Sequence, residues 1–325
     1  MLTDTGGPEV LRVVETDDPV PGPDDLLVDV AHTALNRADI LQRMGFYPDP
    51  RRPAVEIPGM EYAGTVAAMG DRVTGWSIGD AVMGIETGGG YAERLVTNAR
   101  QALPVPAGLK LDDAAAVPEV FLTAWDALVC QGGLTAGRWA LIHAGASGVG
   151  TAGIQLCGAL GARVAVTVSA TKMDACRALG ADVVLERSPA DWSAGLRAEL
   201  ARHGRDGVDT ILDVVAGDDA ARNLAVVAPQ GCIVQVGLMA GARVSVDLGA
   251  LLAKRVRWVG TVLRSRPIEE KIALSQRFAR EVLPWFASGQ LKPVIDRRFG
   301  LADIGDAHRH MEANANIGKI LVDVR

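Results

Sequence analysis

The stretch WALIHAGASGVGTAGIQLCGALGA (139–162) decides the fold. Its first six residues are mostly apolar and read as a strand. They run into a cluster of small residues, which runs in turn into the helical stretch TAGIQLCGAL. In that setting a glycine-rich loop becomes a phosphate site: small residues let a pyrophosphate reach backbone N–H groups at the positive end of the helix. Two registers are open. Gly148-x-Gly150-x-x-Gly153 matches the literal GxGxxG spacing, whereas Gly145-x-Ser147-x-x-Gly150 has serine in the middle. The strand ends near Ala144, so the turn is expected to begin at Gly145, which favours the second register. The candidates for the turn are Gly145, Ala146, Ser147, Gly148, Val149 and Gly150. Ser147 adds a hydroxyl donor that glycine lacks. Gly153 falls inside the helix, where its missing side chain permits close packing on a sheet.

Beyond this stretch, strands and helices alternate. WALIHA (139–144), RVAVTV (163–168), DVVLE (182–186), DTILDVV (209–215), CIVQVG (232–237) and RWVGTV (257–262) are separated by helical stretches such as KMDACRALG, SAGLRAELARHG and LGALLAK. Such alternation implies right-handed βαβ crossovers and a doubly wound parallel sheet, an α/β fold. Residues 1–117 read as β-rich. Short apolar runs such as LLVDVAHTAL (26–35) are broken by the turn clusters PGPDD (21–25), DPRRP (49–53) and GGG (88–90). GTVAAMGDRVTGWSIGDAVMG (64–84) reads as successive strands joined by turns at GDR and GD, which fits a small barrel. The tail carries two amphipathic helical stretches (268–288 and 301–313) and a final strand, KILVDV. The expected domains are 118–262 for nucleotide binding, and 1–117 with 263–325 for the barrel.

Composition narrows the function. Of the 325 residues, 49 % are hydrophobic and 22 % charged, which excludes a disordered chain. The net charge of −6 gives no electrostatic footprint for nucleic acid or an anionic membrane. No apolar run is long enough for a membrane span, and the first thirty residues hold no signal-peptide core, so the expected location is the cytoplasm. Cys130, Cys157, Cys176 and Cys232 form no Cys-x-x-Cys pair.

The second strand of a dinucleotide fold ends on an acidic residue when it binds the ribose 2′-OH of NAD. Here RVAVTV is followed by Ser169, Ala170, Thr171 and Lys172. A hydroxyl and an ammonium suit a 2′-phosphate, so the expected coenzyme is NADPH. Arg187, after the third strand, is a candidate for the adenine or the same phosphate.

The motifs LNRADILQRMGFYP (35–48), PGMEYAGTV (58–66), GGGYAERL (88–95), LIHAGASGVGTAGIQL (141–156) and NIGKILV (316–322) span nearly the whole chain. With them the sequence resembles the zinc-independent quinone oxidoreductase branch of the medium-chain dehydrogenase/reductase superfamily, the branch that includes zeta-crystallin. The resemblance implies a Rossmann sheet and a GroES-like β-barrel catalytic domain. Zinc-dependent members hold a catalytic metal on Cys and a His-Glu pair. Here Asn36 stands near the first ligand position, Met60-Glu61 replaces His-Glu, and no cysteine precedes Cys130. The expectation is therefore no zinc.

Without a Lewis acid, alcohol oxidation is disfavoured. The resemblance implies transfer from NADPH to a quinone or activated alkene in the cleft between the domains. It assigns Asn36 and Tyr47 to the catalytic end. Thr123, the backbone of Gly237, Leu238 and Met239, and the stretch Leu263, Arg264, Ser265 go to the coenzyme. Asn314 and Lys319 are expected to close over its phosphates. Zeta-crystallin members often carry Tyr where Arg187 stands, which alters the adenine packing. Two alternatives remain: an NADPH-dependent enoyl or alkenal reductase, and an NADPH-binding protein with a sensing or RNA-binding role. A homodimer, or a tetramer built from it, is expected from the apolar edge strand in VSVDLGALLAKRVRWVG (244–260).

Overall fold

Apolar residues on both faces of a strand require cover on both sides, and the runs after residue 138 have that character. In a computed structural model, which describes residues 1–188 and 191–325, the chain divides into two units. One is Met1–Leu122 with Leu263–Arg325, the other Thr123–Val262.

The first unit begins with β1 (Asp25–Ala34), α1 (Arg37–Arg43), β2 (Glu61–Met69), β3 (Ala81–Ile85), β4 (Arg94–Asn98), β5 (Leu103–Pro104) and the short α2 (Leu111–Ala114). The helix α3 (Pro118–Trp125) carries the chain across the division. The second unit holds β6 (Trp139–His143), α4 (Gly148–Leu160), β7 (Arg163–Val168), α5 (Met173–Ala178), β8 (Val183–Glu186), α6 (Trp192–Arg202), β9 (Val208–Asp213), α7 (Asp219–Val226), β10 (Val227–Gln235), α8 (Leu248–Lys254) and β11 (Arg257–Gly260). The chain returns to the first unit with α9 (Ile268–Glu281), α10 (Leu283–Ala287), β12 (Ile295–Gly300), α11 (Ile304–Glu312) and β13 (Lys319–Asp323).

Among the described residues the second unit has a six-stranded sheet in the order β11-β10-β9-β6-β7-β8, parallel throughout. This is the doubly wound arrangement, with its order reversing between β6 and β9. Its core joins Leu141, Ile211 and Ile233 of the sheet to Trp192, Leu196 and Leu224 of the helices. The first unit's sheet runs β12-β13-β1-β2-β3-β5, with β4 also paired to β1. Its pairs are antiparallel except β12–β13. Leu26, Val28, Tyr62, Val66 and Val82 fill its interior. A second cluster gathers Leu35, Ile40, Tyr91, Ile304 and Ile320.

Two expectations are corrected. The strand expected between the GDR and GD turns does not form. Gly75 and Gly79 take φ of 80° and 91° there, which bends the chain out of a ladder. Val73 and Trp76 still pack onto the interior from this loop. The tail also contains β12, which was not anticipated. No helix among the described residues is long and apolar enough to cross a membrane.

Candidate active site

In the second unit, β6 ends at His143 and the chain turns at once. The left-handed residue of the turn is Ala144, with φ of 56°, one position earlier than expected. Gly145 is required for a different reason: a Cβ there would lie 2.7 Å from the Val166 Cβ on β7. At Gly150 a Cβ would meet the carbonyl oxygens of Ala144 and Gly145 at 2.4 and 2.5 Å. At Gly153 it would meet Ile142 Cδ1 at 2.7 Å, so the glycine lets α4 lie close on the sheet. Ser147 is the N-cap of α4, its hydroxyl oxygen accepting from the Gly150 N–H at 3.0 Å. The Gly148 and Val149 N–H groups, first in the helix, have no partner among the described residues. This half-buried cradle fits the pyrophosphate of a dinucleotide.

The tip of β7 carries no carboxylate. Ser169 and Lys172 bracket a single 3₁₀ turn, closed by the Lys172 N–H donating to the Ser169 carbonyl at 3.0 Å. The Arg187 N–H donates to the Val168 carbonyl at 2.9 Å, which brings Arg187 beside Ser169. A cavity of about 350 Å³ follows, lined by Arg187, Ser188, Ala216, Asp219, Arg222 and Ala240. Burial opposes ionisation of Asp219. The Trp192 indole N–H at 2.9 Å, with Arg222 at 3.0 Å and Arg187 at 3.4 Å, nonetheless holds its carboxyl below the usual range. Asp219 and Arg222 were not anticipated; nothing in DAARNLAVVA distinguishes them from a solvated helix face. Beyond β10, the Gly237 N–H donates to the Asp213 carbonyl at 3.2 Å. A Cβ on Gly237 would meet the Val214 oxygen at 2.7 Å. Leu238 and Met239 lie exposed next to it. Thr123 is buried on α3.

In the first unit the expected site residues separate into two groups. Asn36, the N-cap of α1, is buried with Glu61 and Lys319. The Lys319 ammonium donates to the Leu35 carbonyl at 2.7 Å, to Asn36 Oδ1 at 2.6 Å and to Glu61 Oε1 at 2.7 Å. Asn36 Nδ2 donates to the same Glu61 oxygen at 2.8 Å. Glu61 Oε2 accepts from the Glu119 N–H at 2.9 Å. All three ammonium hydrogens are used, so Lys319 is not available to close over phosphates, and that expectation is corrected. The oxygens around Asn36 enclose an ammonium rather than forming an open ligand set, and the residues present do not fit a catalytic zinc. Among the described residues no group of three or more His, Cys, Asp or Glu could hold a metal ion. Asn314 carries φ of 52° at the end of α11, and its Oδ1 accepts from Arg37 at 2.7 Å.

Asp39 lies behind Asn36 and is fully buried. Its Oδ2 accepts from the Asn36 N–H at 2.8 Å and the Tyr91 hydroxyl at 3.1 Å, while Oδ1 has no partner among the described residues. Burial pushes its pKa up to about 6. The Tyr91 oxygen is 3.3 Å from His308 Nε2, and Arg43 is 3.3 Å from His308 Nδ1. Arginine only donates, so Nδ1 accepts and neutral His308 carries its proton on Nε2. Burial, aided by Arg43, pushes the His308 pKa down to about 3.

Tyr47 and Arg264 form the other group. The resemblance assigns Arg264 to the coenzyme. It is buried, and its donors go to Thr87 O at 2.7 Å, Tyr47 O at 2.9 Å and Gln42 Oε1 at 2.7 Å. The guanidinium lies over the Tyr47 ring, 5.2 Å from its centroid. Tyr47 is half-buried, and its hydroxyl has no hydrogen-bond partner among the described residues. Burial raises its pKa against the pull of Arg264. Leu263 and Ser265 flank the arginine, and Ser265 is exposed.

Comparison with known proteins agrees with this anatomy. The family model of the alcohol dehydrogenase GroES-like domain matches residues 22–107, and that of the zinc-binding dehydrogenases matches 179–322. The synaptic vesicle membrane protein VAT-1 homolog of Rattus norvegicus is 30% identical over 321 residues, covering 94% of this chain and 78% of that protein. The crystal structure of Escherichia coli quinone oxidoreductase complexed with NADPH matches with a TM-score of 0.87 at 28% identity, over 99% of this chain and 98% of that one. The CurK enoyl reductase matches with a TM-score of 0.87 at 25% identity, over 100% and 98%. With a doubly wound sheet, a GroES-like unit and these relatives, the chain belongs to the medium-chain dehydrogenase/reductase oxidoreductases, in their zeta-crystallin-like quinone oxidoreductase branch.

Proposed function

We propose that this oxidoreductase uses NADPH to reduce quinones. The observation that carries the reading is the Asn36 cluster. Its oxygens surround the Lys319 ammonium, and among the described residues no group of three or more His, Cys, Asp or Glu could hold a Lewis acid against an alcohol. An acceptor that is electrophilic already, as a quinone is, needs no such group. Bound NADPH supplies the hydride. The Gly148 and Val149 N–H groups take the pyrophosphate, and Ser169 with Lys172 takes the 2′-phosphate. Arg187 and Arg222 flank the cavity given to the adenine. Tyr47 keeps its proton at neutral pH and donates a hydrogen bond from its hydroxyl to the acceptor oxygen. Asn36 ties the start of α1 to Glu61 and Lys319 through its side-chain amide. The likeness to a quinone oxidoreductase complexed with NADPH supports both coenzyme and acceptor. A conjugated thioester is the second reading, favoured by the likeness to CurK enoyl reductase.

Stopped-flow oxidation of NADPH and NADH, with 1,4-naphthoquinone against crotonyl-CoA, tests the reading. The expected result is faster turnover with NADPH and the quinone. Turnover of crotonyl-CoA alone transfers the assignment to the second reading. Lys172→Glu is expected to weaken NADPH about tenfold or more, the size of a lost charged hydrogen bond, and NADH little. Equal losses for both coenzymes overturn the phosphate role.

A further inference from the structure

We propose that Arg264 is the positioning residue of the acceptor side: its guanidinium clamps the loop that carries Tyr47 and so fixes where the phenol hydroxyl points. The inference rests on the reading of Tyr47 given above.

The loop's backbone is tied to the end of α1: Gly45 takes φ of 80° and its N–H donates to Gln42 O at 2.9 Å, and the Phe46 and Tyr47 N–H groups donate to Leu41 O at 2.8 and 3.2 Å, while the Phe46 side chain is 72% exposed. Arg264 adds two restraints of a different kind. One N–H takes the Tyr47 carbonyl, fixing the backbone, and the flat cation covers the ring, fixing its tilt. The remaining donors anchor the clamp itself. Nε holds the Thr87 carbonyl after β3, and Nη2 holds Gln42 on α1. Gln42 is braced in turn by Glu56 Oε1 at 2.6 Å. The buried Asp49 carboxylate, 3.8 Å away and paired with Arg51, supplies counter-charge. Three separate segments thus meet on one planar group. Lysine has neither the fork nor the flat face to replace it. A charge is worth burying here because each of its nitrogens has an acceptor, and the ring it orients carries a hydroxyl with no partner among the described residues.

The test uses the full-length protein. It contains three tyrosines, and Tyr62 and Tyr91 are buried, so 3-fluorotyrosine labelling gives three ¹⁹F resonances, with Tyr47 assigned from Tyr47→Phe. In Arg264→Lys the Tyr47 resonance is expected to move to the solvent-exposed position, while those of Tyr62 and Tyr91 stay. The kcat/KM for 1,4-naphthoquinone is expected to fall on the order of 100-fold, as for a misplaced reacting group. The Kd for NADPH should stay within about twofold. In the Tyr47→Phe background Arg264→Lys should cost no more than about twofold, because the two residues act as one unit. An unmoved Tyr47 resonance overturns the clamp, and so does movement of all three, which makes Arg264 a general fold residue. Additive losses in the double variant overturn it as well. If the parent protein reduces no quinone yet the Tyr47 resonance alone moves, the clamp stands and the quinone reading fails.

Discussion

Buried charges here are held by arithmetic of donors and acceptors. Lys319 spends three hydrogens on three oxygens, and Glu61 receives from two side chains and one backbone N–H. Removing one partner leaves the other charge buried and unpaired. Lys319→Met should therefore cost about 3–5 kcal/mol in urea unfolding, and adding Glu61→Gln should recover part of it. No recovery in the double variant would show that packing, not charge, dominates. Asp39 and His308 give a second prediction. Asp39 is raised to about 6, so the folded state binds its proton more tightly than the unfolded one. Its contribution is complete below pH 4 and is lost as pH rises through 6. His308 is lowered to about 3, so its neutral form is favoured in the fold. Its contribution is present above the ordinary histidine pKa and is lost as pH falls towards 3. The two oppose one another between pH 4 and 6. Asp39→Asn removes the first contribution alone. Relative to the parent, the variant should gain about 3 kcal/mol between pH 4 and pH 7, following the Asp39 shift. A difference constant with pH would mean that Asp39 is ionised throughout.

At the scale of elements, α4 joins fold to chemistry, because its first turn is both a capped helix end and the candidate phosphate cradle. Ser147→Ala removes the acceptor for the Gly150 N–H, and about 1 kcal/mol of thermal stability should go with it. NADPH and NADH should weaken together, since the pyrophosphate is common to both. Isothermal titration separates this from a loss confined to NADPH. This element was legible because strand, small residues and helix follow one another within 139–162, each with its own period. The six parallel strands were legible for the same reason, although β10 reaches back to Val227, five residues before the apolar run it was read from. β12 was not, since IDRRFG buries no residue fully and shows a charged face. In the site, Ser147 could be read because its neighbours specify its place. The roles of Arg264 and Lys319 could not. A buried arginine and a solvated one look alike along the chain, and their partners at Gln42, Thr87 and Glu61 lie far away in sequence. The signal for Lys319 was present but faint: a lysine opening the otherwise buried strand KILVD needs a carboxylate somewhere.

For the molecule as a whole, the sheet of the second unit leaves β11 at its edge, with β10 as its neighbour on one side. An exposed edge of a parallel sheet is a template for another strand unless it is covered. Among the described residues, sixteen large apolar side chains are exposed, and six of them lie within 238–262: Leu238, Met239, Val244, Leu248, Leu252 and Val262. Scattered apolar residues need no explanation, but this concentration along the stretch that contains the edge strand does. A second copy of the chain meeting it edge to edge would satisfy the β11 backbone and cover the leucines of α8 in one step. The expected mass from light scattering is twice the 34.1 kDa chain. Leu252, 72% exposed on α8, is the residue to change, because it contributes nothing to the folded monomer's interior. Leu252→Glu should shift the equilibrium towards monomer while leaving the thermal transition of the isolated chain unchanged. Amide exchange supplies the second readout: protection at residues 257–260 should depend on protein concentration in the variant and not in the parent. A parent protein that scatters as 34.1 kDa, with fast exchange along β11, would leave this edge open in solution and require another explanation for its leucines.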